Sequence, residues 1–359
     1  VIPSVTAAVT GTGGLETVEA ELRDANRPAI FIGPHAPKGA LAAATKLGRN
    51  LSIPVLTEMA SPEQTIAHLE LLLRSGVLCS KLQPDLLIHV GNGPIGRAVI
   101  DWLDAFDGAY IALDPDGWHH STSRAADHVW AGDVTAALER LTECRSAINP
   151  DWNARWIHLS AVASSALEGL SDAMDERTVA TLVSSLRSNI HVASSMPIRD
   201  VAAFGRPTSP TYSRGTNGID GTIATATGLG SKTVLLGDLA LRHDVGGLIL
   251  ANELNSDLDV VCIDNSGGGI FHLLPIAENT ELFERYFVTP QAADLCRLAA
   301  ASGADVVVAE SPDALRQFLL SPPNGVRVVI AKVDRTESVR NRNTAIQCVT
   351  QAVDREVLR

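Results

Sequence analysis

Short apolar runs rich in β-branched residues alternate along this chain with longer stretches in which apolar positions recur every three or four residues. In the first part the runs are PAIFIG (28–33), IPVLTE (53–58), PDLLIHVG (84–91) and GAYIALD (108–114). Between them lie GALAAATKLGRNL (39–51) and GRAVIDWLDAF (96–106), both with helical spacing, and DVTAALERL closes the unit. Runs without strict alternation fit strands buried on both faces, and strands that alternate with helices predict a parallel sheet covered on each side. A polar-to-apolar stretch from Asp151 to Met174 reads as a helical connector. The rhythm then restarts: DERTVATLVSSL (175–186) as a capped helix, NIHVASS (189–195) as a strand, GIDGTIATATGLG (218–230) as a Gly-bounded helix, KTVLLGD (232–238) as a strand. DVGGLILANEL (244–254) follows as a helix, DVVCIDN (259–265) as a strand and GVRVVIAKVD (325–334) as a late strand. The expectation is two three-layer α/β/α domains with parallel sheets, at 1–150 and 175–359, joined by a connector at 151–174 and without internal repeats.

Composition narrows what such a pair of domains does. At 359 residues and 45% apolar content the chain is long enough for two ordinary cores and is not a disordered polymer. A formal charge of −12 argues against a surface that neutralises phosphates wholesale, so neither nucleic acid nor an anionic membrane is expected as a partner. Small anions held by local arginines remain compatible with it. Cys79, Cys144, Cys262, Cys296 and Cys348 are scattered, odd in number and without CxxC spacing, which fits a reducing cytoplasm rather than a disulfide framework or a zinc site. No apolar run approaches the roughly 18 residues that would cross a bilayer, and nothing reads as a signal peptide. The opening residues VIPSV, without a methionine, imply a segment upstream.

Ligands of open parallel sheets sit beyond the carboxyl ends of the strands. In LLGDLALRHDVGGLILANELNSDLDVVCIDNSGGGIF (235–271), two such ends carry Asp238 and Asn265, and Gly267–Gly269 let the backbone approach a ligand closely. Oxygen donors at separate tips, without sulfur or imidazole, suit magnesium held partly by a phosphate. Taken piecewise, the same residues also fit an N-capping Asp and an ordinary loop. In the first domain GNGPIG (91–96) is a literal GxGxxG between a strand and a helix, with Asp114 near the position of a ribose-binding acid. NAD or FAD binding through Gly91, Gly93 and Gly96 and a purely structural turn both stay open, although Pro94 removes one amide from any phosphate cradle. His119, His120 and His243 lack metal-like spacing and read as loop or interface residues, whereas His272 falls beside the expected pocket.

The spacing of Gly237-Asp238-Leu239 and Asp264-Asn265 resembles the thiamine-diphosphate signature, with Leu239 and Asp264 as departures from its usual GDG and NN. SSMPIRDVAAFG (194–205), SRGTNGIDGTIATATG (213–228) and NSGGGIFHLLP (265–275) sharpen this to a resemblance to the 2-succinyl-5-enolpyruvyl-6-hydroxy-3-cyclohexene-1-carboxylate synthase (MenD) family of menaquinone biosynthesis. The resemblance covers the second domain and, more weakly, the first. It implies a transferase that decarboxylates 2-oxoglutarate on thiamine diphosphate and adds the succinyl unit to isochorismate. It implies Mg2+, or Mn2+, on Asp238, Asn265 and the carbonyl of Gly267, and cofactor contacts at Asn217, Ile219, Gly237, Leu239, Ala240, Gly268 and Ile270. Ser195 and Arg199 match the family's SxxxR pair for the distal carboxylate of oxoglutarate, Arg214 faces the same cavity, and Arg97 reaches toward isochorismate. Ala98 stands where the family commonly has a second basic residue. Ile219 would prop the bent cofactor, and Ile270, Phe271 and Leu274 would form the wall that excludes water. The resemblance stops at the central and diphosphate-binding domains. The pyrimidine-binding domain with its activating glutamate is expected elsewhere, in a homodimer or homotetramer whose cofactor sites are shared between subunits, and the chain alone is expected to be inactive.

Overall fold

The computed structural model describes residues 4–7, 14–59, 64–118, 125–144, 148–170, 172–208, 210–214 and 217–359. His119 and His120 lie outside the described residues. The chain divides into two compact units, Val1–Gly169 with Ile346–Arg359, and Leu170–Ala345. Residues 346–359, from the segment expected in the second domain, thus group with the first unit. Each unit is built on one sheet whose strand pairs are all parallel.

In the first unit the strands are β1 (Ser4–Ala7), β2 (Pro28–Ile32), β3 (Val55–Thr57), β4 (Thr65–Ile66), β5 (Leu86–Val90), β6 (Ala109–Asp114) and β7 (His128–Ala131). Their spatial order is β1-β7-β6-β5-β2-β3-β4. On one face Ile30, Ile32, Ile88, Val90, Ile111 and Leu113 pack with Leu47 and Leu138 of the flanking helices. The intervening Phe31, Leu87 and Ala112 are equally buried, so apolar residues fill both registers of the pleat, as a sheet covered on two sides requires.

The second unit repeats the plan with β8 (Ile190–Val192), β9 (Thr211–Tyr212), β10 (Thr233–Gly237), β11 (Leu258–Asp264), β12 (Asp305–Ala309) and β13 (Val326–Lys332). The order is β12-β13-β11-β10-β8-β9. Val234, Leu236, Val260, Cys262, Val328 and Ile330 face one layer of helices, and Leu235, Val261 and Val329 face the other. Burying each such side chain contributes about 1.5–3 kcal/mol, so the central strands anchor the loops at their ends.

This order puts a topological switch point between β8 and β10, because the chain leaves β8 toward β9 on one side and leaves β10 toward β11 on the other. Divergent connections open a crevice there. A helix at Met196–Phe204, with Pro197 in its first turn, starts directly after β8. The long helix Arg335–Val357 follows β13. Among the described residues no helix is long and apolar enough to cross a membrane. All five cysteines are free thiols.

Candidate active site

A cavity of about 400 Å³ lies at the switch point of the second sheet. Its walls come from the segments after β8, β10 and β11 and from the start of the helix Glu176–Leu186. A volume of this size suits a cofactor or a small substrate.

The residues expected to hold a cation converge on this cavity. Asp238 opens the short helix Asp238–His243, is 7% exposed, and accepts a hydrogen bond through Oδ1 from the Leu239 amide at 2.8 Å. Burial lifts its carboxyl to about 6, and the Leu239 amide opposes part of that rise. A carboxyl group desolvated this far gains from a cation, which would draw it back to the ionised form. Asn265 is 8% exposed, and its Nδ2 donates to Oε1 of Glu176. Its Oδ1 is buried and has no hydrogen-bond partner among the described residues. A buried amide oxygen left in that state is costly unless something else takes it, so an electrophile at this point is the natural partner.

The glycines that follow are required by crowding. Gly267 has φ +129°, and a Cβ there would lie 2.2 Å from the Val288 carbonyl oxygen, so the turn admits no side chain. The Gly268 amide donates to that carbonyl at 2.8 Å, and the Gly269 amide to the Gly267 carbonyl at 2.9 Å. The second lone pair of the Gly267 carbonyl remains a possible ligand for a cation. One carboxylate, one amide oxygen and one carbonyl form a hard, incomplete ligand set, which fits Mg2+ or Mn2+ completed by phosphate oxygens and water. Among the described residues no group of three or more His, Cys, Asp or Glu could hold a metal, so the set identified from Asp238 and Asn265 has no rival of that kind.

The cavity wall also carries two arginines, each hydrogen-bonded to a residue whose backbone lies in the left-handed region. Ser195 has φ +72°, unusual for a residue with a side chain, and its carbonyl accepts from Nη1 of Arg199 at 2.7 Å. Asn217, with φ +57°, accepts through Oδ1 from Nη1 of Arg214 at 3.0 Å. His191 of β8 joins this wall to the sheet: its ring nitrogens meet Thr211 Oγ1 at 2.9 Å and Ser213 Oγ at 3.0 Å. Behind Arg199, the buried Asp200 pairs with Arg342 of the C-terminal helix. Asp244 accepts from the Ile223 and Ala224 amides, fixing the start of the helix Thr222–Gly228 beside Ile219.

The GNGPIG loop has a different fate. It follows β5 at the switch point of the first sheet, between β2 and β5. There the Asn92 amide donates to the Pro34 carbonyl at 2.7 Å, and a Cβ on Gly33 would lie 2.1 Å from the Asn92 carbonyl oxygen. The Ile95 and Gly96 amides donate to Glu58 at 2.8 and 2.7 Å, and the Ala98 amide donates to Glu70 at 2.9 Å. The N–H groups that a dinucleotide pyrophosphate would need are therefore taken by the protein's own carboxylates. Asp114 is spent on its own turn, accepting from the Asp116 and Trp118 amides at 2.9 and 3.0 Å. The dinucleotide alternative loses its physical basis.

Most residues singled out in the sequence of the second unit meet at the cavity. Ser195, Arg199, Arg214, Asn217 and Ile219 line it, as do Gly237, Asp238, Leu239 and Ala240, and Asn265, Gly267, Gly268, Ile270 and Phe271. Leu274 is not among the lining residues and is 48% exposed, because the turn of 3-10 helix at Gly269–Leu273 ends before it. His272 is likewise not in the lining; its ring packs edge-on against Phe283 at 4.6 Å, and burial lowers its pKa. Arg97 belongs to the first unit, where it is exposed and pairs with Asp101 at 2.8 Å. His243 is exposed. Glu176 also lines the cavity, although in the sequence it is only one polar residue of a capped helix. An acid in a helix's first turn ordinarily signals the helix dipole, and its partner Asn265 is 89 residues away, so local pattern offered nothing to distinguish it.

Comparison with known proteins agrees with these features. No protein-family model matches the chain. It is 31% identical over 343 residues to the 2-succinyl-5-enolpyruvyl-6-hydroxy-3-cyclohexene-1-carboxylate synthase of Trichodesmium erythraeum, covering 86% of this chain and 57% of that enzyme. With the synthases of Myxococcus xanthus and Leuconostoc mesenteroides it shares 31% identity over 351 residues and 32% over 336, covering 60% and 59% of their lengths. The chain thus spans less than two thirds of the curated relatives it matches. Among solved structures, benzoylformate decarboxylase from Polynucleobacter necessarius has the same fold over 89% of this chain, with a TM-score of 0.61 and 13% identity. The resemblance to this family of synthases, first visible in three short motifs, extends through most of the chain.

Proposed function

We propose that this relative of the 2-succinyl-5-enolpyruvyl-6-hydroxy-3-cyclohexene-1-carboxylate synthases carries the central and diphosphate-binding portions of such an enzyme. In this reading residues 1–150 form the central domain, 151–174 the connector and 175–359 the diphosphate-binding domain, with the closing helix shared with the first unit. The carrying observation is the unpartnered, buried Oδ1 of Asn265 beside the desolvated Asp238, in one cavity with Arg199 and Arg214. Asp238, Asn265 and the Gly267 carbonyl would hold Mg2+ or Mn2+ against the diphosphate. Asn217, Gly237, Leu239, Ala240 and Gly268 would line the cofactor, with Ile219 as its prop. Thiamine diphosphate, when bound, supplies the electron sink for decarboxylating a 2-oxo acid and passing the remaining unit to an acceptor.

The chain's own side chains do the recognition. Arg199, with Ser195, binds the distal carboxylate of 2-oxoglutarate, and Arg214 a second carboxylate, since a guanidinium offers paired donors in a fixed plane. Ile270 and Phe271 keep water from the reacting centre. Isochorismate is the acceptor, and Arg97 is a contact for it in this reading. The glutamate that activates the cofactor is supplied by a pyrimidine-binding domain outside these 359 residues, within a cytoplasmic homodimer or homotetramer.

Calorimetry tests the reading directly. Thiamine diphosphate should bind only with Mg2+ or Mn2+ present, and NAD and FAD should give no heat. The chain by itself should form no product from 2-oxoglutarate and isochorismate, and adding a separately expressed pyrimidine-binding domain should restore turnover. Cation-independent binding, or binding of NAD at comparable strength, would overturn the proposal.

A further inference from the structure

We propose that Glu176 is a positioning residue for the cation site: its carboxylate takes Nδ2 of Asn265 and so leaves Oδ1 as the end of the amide available to a cation. The inference deepens the functional reading above and rests on it. An asparagine amide offers two donors at one end and an acceptor at the other, and a rotation of half a turn about its last bond exchanges them. A cation site needs the oxygen end, and Asn265 by itself does not choose.

Glu176 makes the choice. Asn265 Nδ2 lies 2.5 Å from Glu176 Oε1, and both residues are 8% exposed, so water does not compete for the contact. Burial raises the Glu176 pKa, while the bond from Asn265 and the nearby Arg342 favour its charged form. That carboxylate only accepts, so the reversed amide would set two buried oxygens face to face. With the nitrogen end engaged, Oδ1 is the atom left without a partner among the described residues. Glu176 is itself held in place. It is the first residue of the helix Glu176–Leu186, whose N-cap Asp175 accepts from the Thr178 amide at 2.7 Å and from Asn341 Nδ2 at 2.9 Å. Gly269 keeps the contact clear, since a Cβ there would lie 2.4 Å from Asn265 Nδ2 and 3.2 Å from Glu176 Oε1.

The experiment titrates Mn2+ into the 359-residue chain with saturating thiamine diphosphate and reads free Mn2+ by electron paramagnetic resonance. Glu176→Leu should weaken Mn2+ roughly 10- to 100-fold, the usual cost of removing a group that orients a metal ligand. Glu176→Gln, which keeps an acceptor oxygen and nearly the same shape, should lose less. In an Asn265→Asp background, where either oxygen serves without orientation, neither change should weaken Mn2+. Unchanged affinity in Glu176→Leu would overturn the inference. Equal losses for Gln and Leu would overturn it in favour of charge alone, and equal losses in both backgrounds would overturn it in favour of a structural role. An unmodified chain that binds no Mn2+ with thiamine diphosphate would overturn this inference and the functional reading together, whereas normal binding insensitive to residue 176 would overturn this inference alone.

Discussion

Lowering the pH from 7.5 to 5.0 should remove from the second unit the stabilising increment of one buried histidine, measured as the difference between the parent chain and a His191 variant so that other titrating groups cancel. His191 is 1% exposed, between β9 and the loop that carries Arg214, and burial lowers its pKa from 6.5 to about 4. Its two hydroxyl partners can donate or accept, so they tolerate either protonation state, and the cost of charging the ring is that of desolvation. Because the folded pKa is depressed, the unfolded chain binds the proton first. The contribution is present above about pH 6.5 and is lost as the pH falls toward 4. At about 1.4 kcal/mol per pH unit, the 1.5 units between 6.5 and 5.0 correspond to about 2 kcal/mol from this site. His191→Gln should remove that increment, whatever its own effect at pH 7.5. Urea unfolding followed by far-UV circular dichroism is the appropriate assay, since all five tryptophans lie at or before Trp156 and report on the first unit. If the stability of the parent chain and of His191→Gln changes by the same amount between pH 7.5 and 5.0, the reasoning about this buried ring is wrong.

The remaining predictions concern the donors, the arginine wall and the two glycine loops. Asp238→Asn should weaken cation-dependent binding of thiamine diphosphate by tenfold or more while leaving the urea midpoint near that of the parent, as calorimetry and circular dichroism will show. In an enzyme completed by a pyrimidine-binding domain, Arg199→Ala should lower kcat/KM for 2-oxoglutarate roughly ten- to a hundredfold and that for pyruvate much less, because a charge-assisted contact is worth about 1.5–3 kcal/mol. Gly267→Ala should lose about 1–3 kcal/mol of stability in urea titration, since it combines a strained backbone with a clash against the Val288 carbonyl. Glu58→Ala should destabilise the first unit by about 3 kcal/mol, read from tryptophan fluorescence, because it uncaps two buried amides at once.

Local physics made much of this protein legible from its sequence. Runs such as PAIFI and LDVVCID are too uniformly apolar to face water on either side, so strands buried within a covered parallel sheet follow from them. Helices between such strands leave their loops at the carboxyl ends, and from that alone Asp238 and Asn265 could be placed on one edge. The motifs added the expectation of a cation, a cofactor and anion-binding arginines, because those residue types stand at fixed offsets from strand ends.

Tertiary structure decided what distance along the chain conceals. Two-residue strands such as β4 and β9 carry no period of their own and exist through pairing with a neighbour. The strand order that opens a crevice between β8 and β10 is a property of connections rather than of any segment. The GNGPIG loop reads locally as a phosphate cradle, yet Glu58 and Glu70 occupy its amides from 28 to 38 residues away. Glu176 is chemically the same as any acid that opens a helix, and it acquires a role because folding buries it against the nitrogen end of the Asn265 amide and leaves the oxygen end without a protein partner among the described residues. A side chain's type is written in the sequence, but its partner, its desolvation and therefore its chemistry depend on which distant residue the fold brings to meet it.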